Sequence, residues 1–480
     1  MALAVNYTPE EIFDSVSPPI YCRWVACWNP VLFSYTRQDV IVSSITGSSG
    51  NARINFTTSP AVRPVAGDKV YVYVEGKFDG VFSVLSSPTA DSIVISASDS
   101  GSFVIGGYVN LLTTRSNYYI ELIIRDKSNA LVATVRYTPS VNGLIEADIA
   151  GILQSKVEND DDYDTTTGGQ QRNGNAYFQF KVSTREYWDG SSESVVNNGN
   201  DWFAVNGAFQ IGHPFNGNYA DYFINDFSKT GKFLSPFVIP TAYPNYPVVA
   251  QFIYDEDALP DDLEIATFTN YGNAVPTLPP DNDATGNTDL SNTLENGIAS
   301  FVFPLGGISG ADNRRNVYVW LQRKSDHARV SEQKMYKIKP VDQQACNSVF
   351  LRWLAPDGSY AQYLFEGNYR ETQQVESNGT YQKAFNRIDT LKGNSRYLKK
   401  TGFSKFQIGM TGLDQNDADG IRTLLNSPMV YRITPNASTG FFDVVEVLVE
   451  PGTFAIKQAK SDLFDVEFSI VFPEIFNQGA

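Results

Sequence analysis

Phe350-Leu351-Arg352-Trp353-Leu354-Ala355-Pro356-Asp357-Gly358-Ser359-Tyr360-Ala361-Gln362-Tyr363-Leu364-Phe365 reads as two aromatic-rich strands folded about one turn. Pro356 presets a turn, Asp357 favours one, and Gly358 can take a left-handed backbone. The same grammar recurs upstream. Val70-Tyr71-Val72-Tyr73-Val74 and Val81-Phe82-Ser83-Val84 flank Glu75-Gly76-Lys77-Phe78-Asp79-Gly80, and Ile93-Val94-Ile95 and Phe103-Val104-Ile105 flank a Ser/Asp/Gly turn. Residues 40–112 therefore read as one small β-barrel with no helix.

The flanks of that module read as two parts of another domain. Pro30–Tyr35 precedes it; Tyr118–Ile124 and Leu131–Tyr137, joined by the polar turn Arg125-Asp126-Lys127-Ser128-Asn129, follow it. This predicts an immunoglobulin-like sandwich over 1–39 and 113–232, interrupted by the barrel. Val248–Tyr254, Ala299–Phe303 and Val317–Leu321 mark a second β-sandwich over 233–340. Residues 341–480 are expected to form an independent β domain with one helix near 414–426. Asp414 can cap that helix, and Asn426-Ser427-Pro428 stops it. Ile421, Leu424 and Leu425 share one helical face, expected on the sheet carrying Val445, Val447 and Phe468. Residues 158–175, 190–200 and 271–297 read as irregular polar loops. The fold class is thus mainly β: serial immunoglobulin-like or β-sandwich domains, an inserted small β-barrel, and a C-terminal β domain carrying one packed helix.

Bulk properties agree. The 480 residues are 42% hydrophobic and 13% aromatic, with 31 Phe and 26 Tyr but only 4 Met, a composition suited to pleated, half-buried surfaces. The net charge of −16 argues against nucleic-acid binding by the whole surface, apart from DNA passing through a channel. The one basic concentration, Lys383, Arg387, Lys392, Arg396, Lys399, Lys400 and Lys405, reads as facing an acidic neighbouring subunit. Three cysteines, Cys22, Cys27 and Cys346, form no disulfide framework and read as buried thiols of a chain folded in the cytosol. The N-terminus lacks a signal peptide, and no apolar run is long enough for membrane insertion as a helix.

Candidate chemistry is thin. His213 and His327 lie far apart in loop-like contexts, without clustered metal partners. Asp160-Asp161-Asp162 and Asp255-Glu256-Asp257 read as solvated loop charge, and the Asp160–Asp164 spacing fits no calcium loop. Gly306-Gly307-Ile308-Ser309-Gly310 lacks the Lys-Ser/Thr of a phosphate-binding loop. Tyr187, Trp188 and Trp202 are the candidates for stacking on a glycan, or else for filling a core or an interface. No catalytic residue, metal site or cofactor is expected, and the chain reads as a non-enzyme.

Several patches resemble a known family: Trp28-Asn29-Pro30-Val31, Asn117-Tyr118-Tyr119-Ile120, Thr138-Pro139 through Asn142-Gly143, Asp148-Ile149-Ala150-Gly151-Ile152-Leu153, Phe350–Leu354 with Tyr363-Leu364-Phe365, and Ser427-Pro428-Met429-Val430-Tyr431. Together they resemble tail structural proteins of double-stranded DNA phages of Bacteroidetes hosts, including the crAss-like podoviruses. The resemblance implies a virion tail protein whose β domains assemble as a homo-oligomeric ring or hub beside other tail proteins. It also implies that 341–480, with Ile421, Leu424 and Leu425 on its helix, is the assembly domain. The alternative is an adhesin for a host-surface polysaccharide.

Overall fold

The hairpin at 349–365 is buried on both faces: every residue of Val349–Leu354 is buried, Leu351 and Trp353 in one core and Phe350 in another. Val349–Leu354 and Tyr360–Phe365 pair antiparallel from Val349↔Phe365 to Leu354↔Tyr360, with Gly358 at φ +81° in the turn. The structure, a computed structural model, describes the chain except residues 1–2, 10, 15–19, 49, 61–62, 98–105, 158–168, 173–176, 210–218, 226–229, 247, 257, 260–261, 272–285, 291–295, 304–313, 345–347, 368, 378, 383–394, 398–399, 436–441, 452–462 and 474–480. The chain is mainly β and divides into two compact units. One comprises Met1–Glu158 with Tyr177–Val205, the other Asn159–Ala176 with Asn206–Ala480.

In the first unit, Leu3–Tyr7, Leu32–Arg37 and Leu144–Asp148 form one sheet. Leu131–Tyr137, Tyr119–Asp126, Tyr177–Trp188, Val196–Val205 and Trp24–Ala26 form the other. Phe33, Tyr35, Ile120, Leu122, Phe180, Val182 and Trp202 belong to one core between them, the arrangement of an immunoglobulin-like sandwich. The inserted module is a closed six-stranded barrel running from Val40–Ser48 to Tyr108–Leu111. Val70, Val72 and Val74 alternate into its interior with Ile54, Ile93 and Val109.

The chain crosses from sandwich to barrel at Arg37–Val40 and returns at Asn110–Tyr118, and a buried ionic node lies at that crossing. The Asp39 carboxylate accepts from Arg37 Nε (3.1 and 3.0 Å) and Nη2 (2.6 Å), Arg115 Nη1 (3.0 Å) and the Leu111 amide (2.7 Å). Its side chain is 0% exposed and that of Arg37 4%. Arg37 also donates to Leu111 O (3.0 Å) and lies 4.1 Å over the Tyr118 ring, whose hydroxyl donates to buried Glu186 (2.7 Å). Two guanidiniums and two carboxylates thus balance in a dry site. Gly143, at φ +88°, closes it: an added Cβ would sit 2.5 Å from Asn110 Nδ2 and 2.9 Å from Arg37 O.

The second unit carries two cores. Val248–Tyr254, Gly297–Phe303 and Gly169–Arg172 form one sheet. Thr241–Ala242, Lys334–Ile338, Arg314–Arg323, Leu263–Tyr271 and Gly286–Asp289 form a second, with Phe252, Phe301, Val319 and Leu321 in the core they share. The third sheet has seven strands in the order Tyr360–Phe365, Val349–Leu354, Val430–Pro435, Phe442–Val449, Phe464–Val471, Lys400–Leu413, Tyr369–Ser377. The helix Gln415–Leu425 packs on it. Asp414 caps the helix by accepting from Asp417 N (2.8 Å), and Ile421 and Leu424 are 1% and 0% exposed beside Val447 and Phe468. Val445 does not join them: it is 36% exposed, two residues along the strand beyond Val447.

Other expectations need correction. The first unit ends at Val205, not near 232; Ile224 lies in the second unit's core with Phe233 and Val248. The C-terminal segment is not separate either. Phe237 enters its core at 6.0 Å from Trp353 and 5.9 Å from Tyr363, and Tyr246 stacks 4.0 Å from Phe350. Gly420 makes room for Phe237: a Cβ there would lie 2.1 Å from the ring. Asn416 exchanges two 3.0 Å hydrogen bonds with the Ile239 backbone. Three stretches read as loops contain strands, Gly169–Arg172, Val196–Val205 and Gly286–Asp289, because each has a partner far along the chain or a long strand to continue.

Asp39→Ala leaves two buried guanidiniums facing each other. It is expected to cost the first unit about 3–5 kcal/mol in chemical denaturation, whereas an unchanged midpoint would show that the node contributes no net stability. Leu424→Asp places an unpaired charge in the C-terminal core and should cost several kcal/mol, roughly 3 or more. Because Phe237 shares that core, limited proteolysis should open the second unit as a whole and spare the first.

Candidate assembly surface

The aromatic residues singled out in the sequence are engaged internally. Trp202 is 1% exposed, edge-on to Phe33 at 5.2 Å and stacked on Phe180 at 6.1 Å, so it is core and no ligand platform. Half-buried Trp188 lies under the Arg115 guanidinium (4.2 Å), which is itself fixed by Asp39. Tyr187 stacks on Tyr119 at 5.0 Å, and its hydroxyl accepts from Arg185 (3.1 Å). Alternation at the end of Tyr177–Trp188 turns Trp188 toward the core and Tyr187 to the opposite face, while Trp202, on the paired strand Val196–Val205, lies in the core. Ile421, Leu424 and Leu425 likewise spend their apolar surface inside the unit. The helix supports the C-terminal sheet and presents no apolar face of its own.

What that sheet does present is an edge. Tyr369–Ser377 is its outermost strand, paired on one side with Lys400–Leu413 in unbroken register from Tyr369↔Ile408 to Ser377↔Lys400. Its other side has no partner among the described residues. Every side chain after Tyr369 is exposed. At nine residues it is the longest edge strand among the described residues, and it carries neither bulge nor proline to blunt pairing. Arg370, Glu371 and Glu376 give it one positive and two negative charges; Val375, at 52% exposed, gives it an apolar point. Val444 (47%) and Leu448 (66%) are also exposed, on Phe442–Val449, which two strands separate from this edge. Tyr369 is stacked on Phe406 (5.1 Å), and Arg432 lies over the same ring (4.7 Å), so the base of the edge is rigidly seated. The opposite edge strand, Tyr360–Phe365, is buried except at half-buried Gln362, and its first amide, Tyr360 N, donates to Gln251 Oε1 (2.6 Å). Sequence reasoning missed the edge strand because its Glu, Thr and Gln residues lack apolar alternation; its signal was the absence of any turn residue from Tyr369 to Glu376.

The remaining candidates resolve individually. Lys405, at the end of the basic run, pairs with Glu450. Lys383, Arg387, Lys392 and Lys399 lie outside the described residues, as do His213, Cys346, Asp160–Asp162 and Gly306–Gly310. Cys22 and Cys27 are buried. Asp255 is buried rather than solvated, and its carbonyl accepts from the Ala258 and Leu259 amides of a turn. Glu256 is held by Asn296 (2.8 Å). His327 Nδ1 lies 2.8 Å from Glu264 Oε1, which also accepts from Gln322 and Asn287. Among the described residues no group of three or more His, Cys, Asp or Glu is placed to hold a metal ion. None of their helices is long and apolar enough to cross a membrane. Two buried titratable groups sit behind the sheet's buried edge. Burial pushes the Asp357 carboxyl up and the Lys334 ammonium down, although Lys334 donates to Phe237 O (2.9 Å).

No protein-family model matches this chain, and no curated protein matches it. Among solved structures, the FN1–FN3 domains of chicken CNTN1 are similar at 6% identity, over 63% of this chain and 97% of that one, with a TM-score of 0.13. So low a score supports no argument; the β-sandwich fold is read from the strand order and the cores.

Asp357 gives a stability that depends on pH. The unfolded chain releases this proton near 3.8, and the folded chain holds it to higher pH. Its contribution is therefore complete below that value and is lost as pH rises through the folded one. Asp357→Asn keeps the acceptor for Ser359 (3.1 Å from its N–H, 2.6 Å from its hydroxyl) and cannot ionise. The variant should be more stable than wild type at neutral pH and lose part of the pH dependence of stability above 3.8 in urea titrations; equal pH dependence would contradict the assignment.

Proposed function

We propose that this chain is a structural subunit of a phage virion tail, joining copies of itself and other tail proteins into a ring or hub, and that it carries out no reaction. The observation that carries this reading is the exposed Tyr369–Ser377 edge on a sheet whose other edge is buried. An exposed ladder of N–H and C=O groups is a template for another strand, and the charges of Arg370, Glu371 and Glu376 select which strand can pair. A sheet with one open edge passes that edge to a neighbour, and a symmetric assembly repeats the contact around an axis. The resemblance of the patches at 28–31, 117–120, 148–153 and 427–431 to phage tail proteins supports the same setting.

The test joins oligomeric state to particle composition. The substitution Val375→Lys alters one exposed side chain of that edge and should change unfolding free energy by less than about 0.5 kcal/mol. Wild-type chain should form discrete multimers by mass photometry and occur in purified virions; the variant should stay monomeric and be missing from them. A wild-type chain that remains monomeric and is absent from purified particles overturns the proposal.

A further inference from the structure

The outer wall of the inserted barrel carries an aromatic surface that neither the sandwich nor the barrel core uses. Strand pairing sets Tyr108 opposite both Tyr73 and Ile41, Tyr73 opposite Asp79, and Tyr71 opposite Val81. Alternation puts Val70, Val72, Val74, Val109 and Phe78 inside, so these partners share the outside. The Tyr73 and Tyr108 rings lie 5.4 Å apart with planes inclined by 30°, and Tyr71 is 6.3 Å from Tyr108 at 41°. Tyr73 is 36% exposed and Val81 48%. The platform is held from below and from the side: the Tyr71 hydroxyl donates to Asp79, and the Tyr108 hydroxyl donates to Asn142 O (2.9 Å) in the sandwich turn. Burial and Asp79 push the Tyr71 hydroxyl well above its ordinary range, so it stays a donor.

We propose that this face is a binding site for a neutral sugar, with a pyranose ring stacked on Tyr73 and Tyr108 and its hydroxyls donating to Asp79. The chemistry selects that class. An exposed ring face is negative at its centre and attracts the C–H face of a pyranose. Rings inclined by 30° form a shelf, whereas capture of a quaternary cation calls for rings that box it in. Asp79 is exposed, and it accepts from Tyr71 through one oxygen; the other has no partner among the described residues and can take a sugar hydroxyl. A carboxylate there, on a chain of net charge −16, disfavours uronates and sialic acids. With Tyr71 and Tyr108 tied at their hydroxyls, little ordering is lost on binding. The inference goes beyond the assembly role and uses none of the Tyr369–Ser377 edge, so either can fail without the other.

The full chain would be applied to an array of neutral and acidic oligosaccharides, and neutral hits titrated by calorimetry. Binding should be confined to neutral glycans. Tyr73→Ala should weaken it by about tenfold or more, a loss of one good stacking contact, while Tyr73→Phe stays near wild type. Asp79→Asn should weaken it with an unchanged melting temperature, which covers the case in which Tyr73→Ala disturbs the barrel. Three outcomes would each overturn the site: no neutral glycan bound, affinity indifferent to both Tyr73→Ala and Asp79→Asn, or binding of tetramethylammonium and lysine peptides in place of sugars.

Discussion

A chain built almost wholly of strands must find partners for the backbone N–H and C=O groups at every sheet edge. Each module here meets that demand differently. The barrel closes on itself and has no edge. The second unit's sandwich ends in short strands, two residues at Thr241–Ala242 and four at Gly286–Asp289. The Val248–Tyr254 edge is partly covered by the bridge of Leu234 to Gln251, and Gln251 in turn reaches across to Tyr360. Among the described residues only Tyr369–Ser377 combines length, regular register and exposure of every side chain after the first. A strand of that kind is a hazard in a monomer and an asset in an assembly, and on that contrast the functional reading turns.

Polar groups do the joining between modules. At the barrel crossing, Asp39 gathers Arg37, Arg115 and the Leu111 amide, and the two arginines lie over Tyr118 and Trp188. An apolar plug of equal volume could be as stable, but it would tolerate slippage; fixed donor and acceptor directions hold one arrangement. The second unit uses both means. Phe237 and Tyr246 bury rings on opposite faces of the C-terminal sheet, while Asn416 and Lys334 tie the connecting backbone at Ile239 and Phe237. Trp353 adds a 2.8 Å bond to Thr423 of the helix. The barrel's tyrosine shelf is steadied in the same manner, by one bond to the sandwich turn.

Where local pattern and tertiary role coincide, the fold is legible in the sequence. The barrel follows from Val-Tyr-Val-Tyr-Val and its turns, the 350–365 hairpin from Pro-Asp-Gly, and the helix from Asp414 and the spacing of Ile421, Leu424 and Leu425. Gly169–Arg172 and Gly286–Asp289 were illegible because what makes them strands is a partner, Gly297–Phe303 and Leu263–Tyr271 respectively. Trp202 misled because both faces of its strand are buried: Phe203 stacks on Trp24 at 4.5 Å while Trp202 meets Phe33, which erases the period of two. The tyrosine shelf was visible as strand and invisible as site, since only the closed barrel brings Tyr108 beside Tyr73. The open edge has no sequence signature, because openness is a property of the whole sheet.

Amide hydrogen exchange along Tyr369–Ser377 tests the central claim most directly, comparing isolated chain with intact particles. In an antiparallel pair alternate amides point away from the neighbouring strand. The account predicts that those outward amides exchange fast in the isolated chain and become protected in particles, while the inward ones, bonded to Lys400–Leu413, are slow in both. Outward amides that exchange equally fast in particles would show that the edge meets no partner there, and would contradict its role in assembly.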